Sequence, residues 1–156
     1  MKVIRQGDKY HLQLGKREKI VLFDLLELYP QIPPGHFQLS KAGEVPDPEA
    51  NQRLLDEALA EQRTASKNQL HALLSDAERC QETQTGFRLR LSEGEVEWLL
   101  QVLNDIRIGS WIRLGSPQAK LEMARLKAET MPFFLAMEMA GTVQMALVSA
   151  LTRRKS

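Results

Sequence analysis

One pattern occurs twice in this chain and limits the folds that it can adopt. A short alternating stretch runs straight into residues with the period of an amphipathic helix. The two copies, at a constant offset of 77 residues, are Leu12, Leu14, Glu18, Leu22 and Leu26, and Leu89, Leu91, Glu95, Leu99 and Leu103. Either similar design pressures produced both copies, or they are a duplicated strand–helix unit whose strands join one small sheet. Both interpretations predict an α+β fold that is mostly α.

Three short strands are predicted, near 2–6, 9–14 and 86–91. In the second, Tyr10, Leu12 and Leu14 alternate with His11 and Gln13, which is typical of a half-buried strand. A two-residue turn at Gly7-Asp8 joins the first two strands, because glycine tolerates the positive φ that such a turn requires. The sequence therefore predicts a helical bundle with a small antiparallel sheet.

Helices are expected to make up most of the remaining chain. A first helix over 16–29 completes a strand–helix unit at 1–29, and prolines and glycines indicate a loop over 30–47. Asp47 followed by Pro48 favours a helix start. No proline or glycine follows before Gly86, so we predict one long helix over 48–83; two helices meeting in a polar stretch at 64–69 are the alternative.

The last third of the chain, 86–152, is predicted to hold a strand and three helices that complete a single domain over 1–156. Ser92 and Glu95 form a capping box that begins the first of these helices. Further helices are expected at 117–129 and 131–152. The last helix has the length of a membrane span, but Glu138 near its middle would cost about 2.5–3.5 kcal/mol on insertion. We therefore expect a buried core helix with no membrane partner.

Composition excludes several classes of function. The formal net charge is only +1, with +4 over residues 1–19, −6 over 20–83 and +3 over 84–156. This balance predicts segments that neutralise one another, without the basic stripe of a nucleic-acid protein. A single cysteine, Cys80, indicates a reducing, cytoplasmic location. Nucleophile–base, metal and phosphate-loop motifs are missing, so we expect no cofactor and no metal, and the case for an enzyme is weak.

Polar residues inside apolar helices are the candidate site. Burying an unpaired charge is costly, so each needs a partner or a function. The candidate binding residues are Trp98, Asn104, Asp105, Arg107, Trp111, Arg113 and Glu138. The hypothesis is that Glu138 pairs with Arg107 or Arg113 between packed helices. The pair is either purely structural, or it holds arginines that recognise a carboxylate or phosphate.

Five of the six methionines lie between positions 123 and 145. Flexible thioethers fill ordinary cores, and they also suit surfaces that adapt to a partner. The sequence leaves both roles open, with the core role favoured.

The stretch from Trp98 to Gly115, which includes Asn104-Asp105-Ile106-Arg107 and Arg113-Leu114-Gly115, resembles a bacterial domain-of-unknown-function family, numbered 2017 in domain catalogues. The opening strand–helix, the Asp47-Pro48-Glu49-Ala50 helix start and the closing Gln144–Val148 are also similar. The chain departs from the family pattern at Gly109-Ser110-Trp111. The resemblance implies no assigned activity, but members are often encoded beside the adaptor of the Clp protease.

These observations lead to two functional hypotheses. The first is an uncharacterised non-catalytic interaction or regulatory protein, accessory to regulated proteolysis, with Clp protease machinery as the partner that the resemblance implies. The second is a small ligand-binding protein or enzyme that holds an anionic group with Arg107 and Arg113. Exposed arginines in a pocket favour the second hypothesis, and arginines ion-paired between packed helices favour the first. Self-association through the long helix is a further expectation.

Overall fold

The computed structural model describes residues 1–38, 46–118 and 125–153. This part of the chain forms four α-helices and one four-stranded antiparallel sheet, which confirms the predicted α+β, mostly helical class. The elements are β1 Lys2–Gln6, β2 Lys9–Gly15, α1 Lys16–Glu27, α2 Pro48–Ser75, β3 Cys80–Thr83, β4 Gly86–Ser92, α3 Glu93–Arg113 and α4 Met131–Thr152.

The sheet has one buried face and one open face. Its strand order is β1-β2-β4-β3, and each neighbouring pair is antiparallel. The side chains that alternate inward are buried against the helices: Val3, Tyr10, Leu12, Leu14, Phe87, Leu89 and Leu91. Because successive strand residues point to opposite faces, the intervening polar residues point away from the core.

The repeat seen in the sequence is also a repeat in the structure. Leu12 lies directly opposite Leu89, the residue at its own offset of 77, in the β2–β4 ladder. The outer ladders match as well, since Val3 faces Leu12 in one and Cys80 faces Leu89 in the other. A local two-fold relation through the Leu12–Leu89 pair therefore exchanges the β1–β2 hairpin with the β3–β4 hairpin. Both strands of the sequence repeat join one sheet, as the duplication hypothesis requires.

Equivalent glutamates begin the two helices that follow the hairpins. In α1, the Gly15 backbone N–H donates to Glu18 Oε1 at 2.8 Å. In α3, the Ser92 N–H donates to Glu95 Oε1 at 3.1 Å, and the Glu95 N–H donates to Ser92 Oγ at 3.2 Å. Each glutamate thereby binds the backbone amide that precedes its helix. The offset of 77 thus continues from strands into helix starts.

The long helix is shorter than predicted. Its expected range of 48–83 is wrong, because α2 ends at Ser75 and a fourth strand, β3, occupies Cys80–Thr83. Asp76 adopts an extended backbone, and its carbonyl accepts the Cys80 N–H at 2.8 Å, which turns the chain toward β4. No glycine or proline marks this break. The sequence of β3 gives no strand signal of its own, and the strand forms because it pairs with β4.

Several other predictions can be compared directly. The strands near 2–6, 9–14 and 86–91 are confirmed, as is the helix at 131–152. Of the helix predicted at 117–129, residues 119–124 lie outside the described residues, and the described residues 117–118 and 125–129 are not α-helical, so the prediction is wrong for that part of the range.

The acidic and basic segments do not neutralise one another as expected. Within the described ranges, Lys19–Glu82 at 3.9 Å is the one ion pair between the basic first segment and the acidic middle segment. Arg79 of the middle segment pairs with Glu95, while Glu57 and Glu61 on α2 have no described partner. Few ion pairs therefore join the basic first segment to the acidic middle segment within the described residues.

Helix α4 combines a buried face with an exposed one. Among the described helices it is the one that is long and apolar enough to cross a membrane, with a mean hydropathy of 1.5. In its most apolar stretch of 18 residues, 33% is buried inside the protein. Its inner face packs on α3 and the sheet through one aromatic residue and five small or branched ones: Phe134, Ala136, Ala140, Val143, Leu147 and Ala150. The expected core role therefore holds for one side of α4 only.

Candidate functional site

The predicted site residues separate into a cleft and three other locations. The cleft lies between α3 and α4 and has a volume of about 620 Å³. Its walls are Arg107, Ile108 and Trp111 from α3, and Met137, Glu138, Gly141, Thr142, Gln144 and Met145 from α4. Three of the seven predicted residues, Arg107, Trp111 and Glu138, therefore line one cavity. Asp105, Trp98 and Arg113 make their contacts elsewhere.

Arg107 lines the cleft, and its side chain is exposed. Its Nη2 donates a hydrogen bond to Asn104 Oδ1 at 3.1 Å, one turn earlier on α3. No carboxylate among the described residues lies within ion-pair distance of it. Asn104 therefore orients Arg107 without neutralising it, which leaves its charge available to a ligand.

The hypothesis of a buried Glu138–arginine pair is wrong. Glu138, Arg107 and Arg113 are all exposed, and none of them forms an ion pair within the described part of the chain. Glu138 lies two residues from both Ala136 and Ala140, so on a 3.6-residue helix it points away from the face that they bury. An apolar run in the sequence did not imply burial all around this helix.

Arg113 contacts an aromatic ring and lies outside the residues that line the cleft. The centre of its guanidinium is 5.7 Å from the centroid of the Phe133 ring at the start of α4, which is within cation–π range. The contact joins the end of α3 to the beginning of α4. The two arginines predicted to act together are thus separated into different environments.

Asp105 has a structural partner that the sequence did not reveal. Its Oδ1 accepts the backbone N–H of Gln31 at 2.6 Å and that of Ile32 at 3.3 Å. One turn later, Gly109 provides the space for this backbone, since a Cβ added there would lie 2.4 Å from the Gln31 carbonyl carbon. Asp105 and Gly109 together hold the segment after α1 against α3.

The two tryptophans connect helices to neighbouring segments. Trp98 Nε1 donates to Ser66 Oγ at 3.3 Å and so joins α3 to α2. Trp111 lines the cleft, and its Nε1 donates to the Pro117 carbonyl at 3.1 Å. Trp111 thereby forms part of the cleft wall, whereas Trp98 contributes to the packing of α2.

Sequence reasoning missed much of the α4 side of the cleft. Met145 is 72% exposed, and Gln144 Nε2 reaches across to the Leu100 carbonyl at 3.4 Å. Met137 also lines the cleft, while Met139 packs against the core, so the methionines divide between the two roles considered. The available signal was the spacing of Ala136, Ala140 and Val143, which marks the inner face and leaves Glu138, Thr142 and Met145 outside.

The described residues contain no group of three or more histidine, cysteine, aspartate or glutamate side chains placed to hold a metal ion. Cys80 donates its thiol hydrogen to the Leu73 carbonyl at 3.2 Å. Burial, together with the nearby Asp76 carboxylate, raises the pKa of Cys80, so its thiol stays protonated at neutral pH. Its environment is that of a packed side chain.

Comparison of the chain with protein-family models, with curated proteins and with solved structures finds no match in any of the three. The cleft between α3 and α4 therefore has to be interpreted from its own geometry.

Proposed function

We propose that this protein is a non-catalytic interaction protein of the cytoplasm that holds a segment of a partner protein in the α3–α4 cleft. One observation carries the proposal. Helix α4 leaves three large apolar side chains open to solvent outside its buried face, with Met145 72%, Val148 46% and Leu135 43% exposed. Met145 and Val148 are three residues apart on this helix, and neighbouring exposed apolar side chains commonly mark protein interaction sites. Methionine also adapts its shape to different partners.

The cleft also defines the chemistry of the segment that would fit. Trp111, Ile108 and Met137 offer apolar wall, while Arg107 and Glu138 place one charge of each sign on opposite helices. A partner helix with an apolar stripe would bury its stripe against α4, and its flanking charges would select orientation. Arg107 and Glu138, the two charged side chains that would select the orientation, have no ion-pair partner within the described residues.

The resemblance to the domain family numbered 2017 leads us to propose a role in regulated proteolysis, with a component of the Clp protease machinery as the partner. This part of the proposal depends on the Trp98–Gly115 stretch and on the association of that family with the Clp adaptor. The chemistry of the cleft is compatible with a protein ligand but does not by itself select one protease component.

The test is site-specific photo-crosslinking in the native cell. A photoreactive amino acid replaces Met145, and a matched variant carries it at Ala50, which is exposed on α2. We expect a protease subunit or its adaptor to be captured from position 145 and not from position 50. Equal capture from both positions, or capture of no protease component, would contradict the proposal.

The alternative is a binding protein for a small anionic ligand. Arg107 favours it, because an exposed guanidinium without a described carboxylate partner lines a cavity in the size range of ligand pockets. Glu138 opposes it, because a carboxylate in the same cleft repels anions, and Arg113 does not line this cleft. An anionic small molecule that copurifies with the wild-type protein and is lost from Arg107→Gln would favour this alternative.

A further inference from the structure

The open face of the sheet is a basic surface. We define the basic face as Lys2, Lys9, His11, Arg88 and Arg90, which all occupy outward positions on β1, β2 and β4. The other outward positions in the four strands are Ile4, Gln6, Gln13, Gly15, Gln81, Thr83, Gly86 and Ser92, and none is acidic. Four permanent positive charges therefore lie on one side of the sheet.

The cations of the basic face have few partners within the described residues. Lys9 has a long ion pair with Asp8 at 3.7 Å, and Arg88 donates to the neutral Gln81 at 3.1 Å. Arg90 lies directly opposite His11 in the β2–β4 ladder. Burial, followed by the nearby Arg88 and Arg90, lowers the pKa of His11, in keeping with a positive environment on this face. Most of the positive charge on the basic face is therefore not neutralised by carboxylates within the described residues.

A complementary surface lies on α2. We define the acidic stripe as Leu54, Glu57 and Glu61, which share one helix face at steps of three and four. This face is opposite to the one that buries Leu70 and Leu73, and Leu54 is 62% exposed. Neither glutamate has a partner among the described residues. The stripe therefore combines a solvent-exposed apolar side chain with two free carboxylates.

The spacing of the two surfaces matches. Arg88 and Arg90 alternate along one strand, so their Cα atoms are about 6.7 Å apart. Glu57 and Glu61 are four residues apart on a helix, with about 5–6 Å between their Cβ atoms. Both pairs of long side chains can therefore meet in one-to-one contact. Ile4, half-buried on the outward side of β1, offers an apolar partner for Leu54.

We propose that the basic face binds the acidic stripe of a second copy of this chain, so that two reciprocal contacts form a dimer. The contact cannot form within one chain, since Leu70, Leu73 and the Trp98–Ser66 bond hold α2 on the helical side of the sheet. The second copy is the partner whose complementary charge is present in this structure. A nucleic acid fits less well, because no phenylalanine, tyrosine or tryptophan side chain occupies an outward strand position to stack on bases.

The dimer is weak and salt-sensitive, because exposed ion pairs contribute little individually and are screened by salt. We expect dissociation constants weaker than about 1 μM. Sedimentation velocity over a range of protein concentrations, at about 0.05 M and about 0.5 M ionic strength, measures this directly. Association should be seen at low ionic strength and reduced at least tenfold at high ionic strength.

Two charge-reversed variants make the test specific. The first carries Arg88→Glu and Arg90→Glu, and the second carries Glu57→Lys and Glu61→Lys. Each alone places like charges on both surfaces, so each should be monomeric. Mixed in equal amounts, they regain opposite charges in both reciprocal contacts and should associate as a heterodimer. A control with Lys16→Glu and Arg17→Glu, exposed on α1 away from the basic face, should associate like the wild type.

Three results would overturn the proposal. The first is a wild-type protein that stays monomeric at all concentrations tested at low ionic strength. The second is a mixture of the two variants that does not associate although each retains the wild-type circular dichroism spectrum. The third is binding of duplex DNA or RNA by a monomeric wild type that is lost in the variant with Arg88→Glu and Arg90→Glu, which would assign the basic face to nucleic acid.

Discussion

The two halves of the molecule begin alike and end differently. Each starts with a hairpin that runs into a helix, and buried leucines such as Leu22 and Leu99 occupy equivalent positions. Helix α1 then stops after 12 residues, whereas α3 continues for 21. The extension of α3 carries Asp105, Arg107 and Trp111. The shared part builds the sheet and core, so the features specific to the second half are the ones available for function.

The contacts of the helix that follows the hairpin in each half show the same contrast. Trp98 on α3 hydrogen-bonds to Ser66 of α2. Its equivalent on α1 is Val21, which is 41% exposed beside a groove of about 310 Å³ between α1 and α4. The Trp98 indole thus occupies the space between α3 and α2, whereas the smaller Val21 side chain leaves a groove between α1 and α4. The two halves therefore match closely in the sheet but differ in the contacts between helices.

The largest expected effect tests whether the two halves are equivalent. Leu12 and Leu89 are both fully buried and face each other across the β2–β4 ladder. We expect Leu12→Ala and Leu89→Ala each to lower the free energy of unfolding by about 4 kcal/mol, because each deletes buried methyl groups and leaves a cavity. Urea denaturation measures both values. A difference of more than about 2 kcal/mol would break the proposed equivalence.

A somewhat smaller effect is expected where the halves diverge. Gly109→Ala should lower the free energy of unfolding by about 3 kcal/mol, because the added Cβ would lie 2.4 Å from the Gln31 carbonyl carbon and 2.5 Å from the Ile32 nitrogen. The matched control is Gly94→Ala on the same helix, where nothing lies within 4 Å. The control should be neutral or stabilising by up to about 1 kcal/mol. Equal stability of the two variants would contradict the close approach at Gly109.

A third comparison separates Asp105, which holds the segment after α1 against α3, from the residues that line the α3–α4 cleft. Replacing Asp105 with alanine leaves the backbone N–H groups of Gln31 and Ile32 without their acceptor, so we expect a loss of about 2 kcal/mol. Within the described residues, the hydrogen bond of its neighbour Asn104 is to the exposed Arg107, so Asn104→Ala should change stability by less than about 0.5 kcal/mol. Thermal unfolding of both variants checks the pair. The account is wrong about Asp105 if the two behave alike.

The smallest effect concerns the equivalent glutamates at the helix starts. Burial alone would raise the pKa of Glu95, but hydrogen bonds from Arg79 and Ser92 outweigh it and lower the pKa. A pKa that is lower in the folded state contributes stability above the unfolded value of 4.5, and this stability is lost as the pH falls through the folded value. Glu95→Gln should cost about 1 kcal/mol at pH 7, and the difference should shrink in acid.

The same substitution at Glu18 provides the comparison. Its pKa is lowered, first by the hydrogen bond from the Met1 amino group and then by the Gly15 N–H. Its side chain is 46% exposed, against 15% for Glu95, so solvent screens these interactions more strongly. Glu18→Gln should therefore cost less than Glu95→Gln. A larger cost at Glu18 would show that burial does not control the difference.

Local signals in the sequence were enough for most of the framework. The alternation around Leu12 and the capping box at Ser92 each depend on residues close together in the chain, and the offset of 77 was recognised because such a local pattern occurs twice. All three appear in the structure. Strand β3 could not be recognised, because Cys80-Gln81-Glu82-Thr83 has no apolar alternation and is ordered by pairing with β4. Its existence depends on tertiary contact.

The candidate site was harder to predict for the same reason. Asp105 bonds to backbone 74 residues earlier in the chain, and no local pattern announces such a contact. Glu138 was expected to be buried because its neighbours are apolar, but burial depends on which side of α4 meets α3. Sequence reasoning chose three residues of the cleft correctly and could not determine how helix α4 is rotated about its axis.

We claim that Met145 and the other exposed apolar side chains of α4, Val148 and Leu135, are open to solvent and available to a partner. The most direct measurement is the rate of thiol labelling in the full chain, with Cys80→Ser as background and single cysteines introduced by Met145→Cys, Ala50→Cys and Ala140→Cys. Position 50 is exposed and position 140 is fully buried. We expect the Met145→Cys thiol to react as fast as that of Ala50→Cys. A reaction as slow as that of Ala140→Cys would contradict the claim.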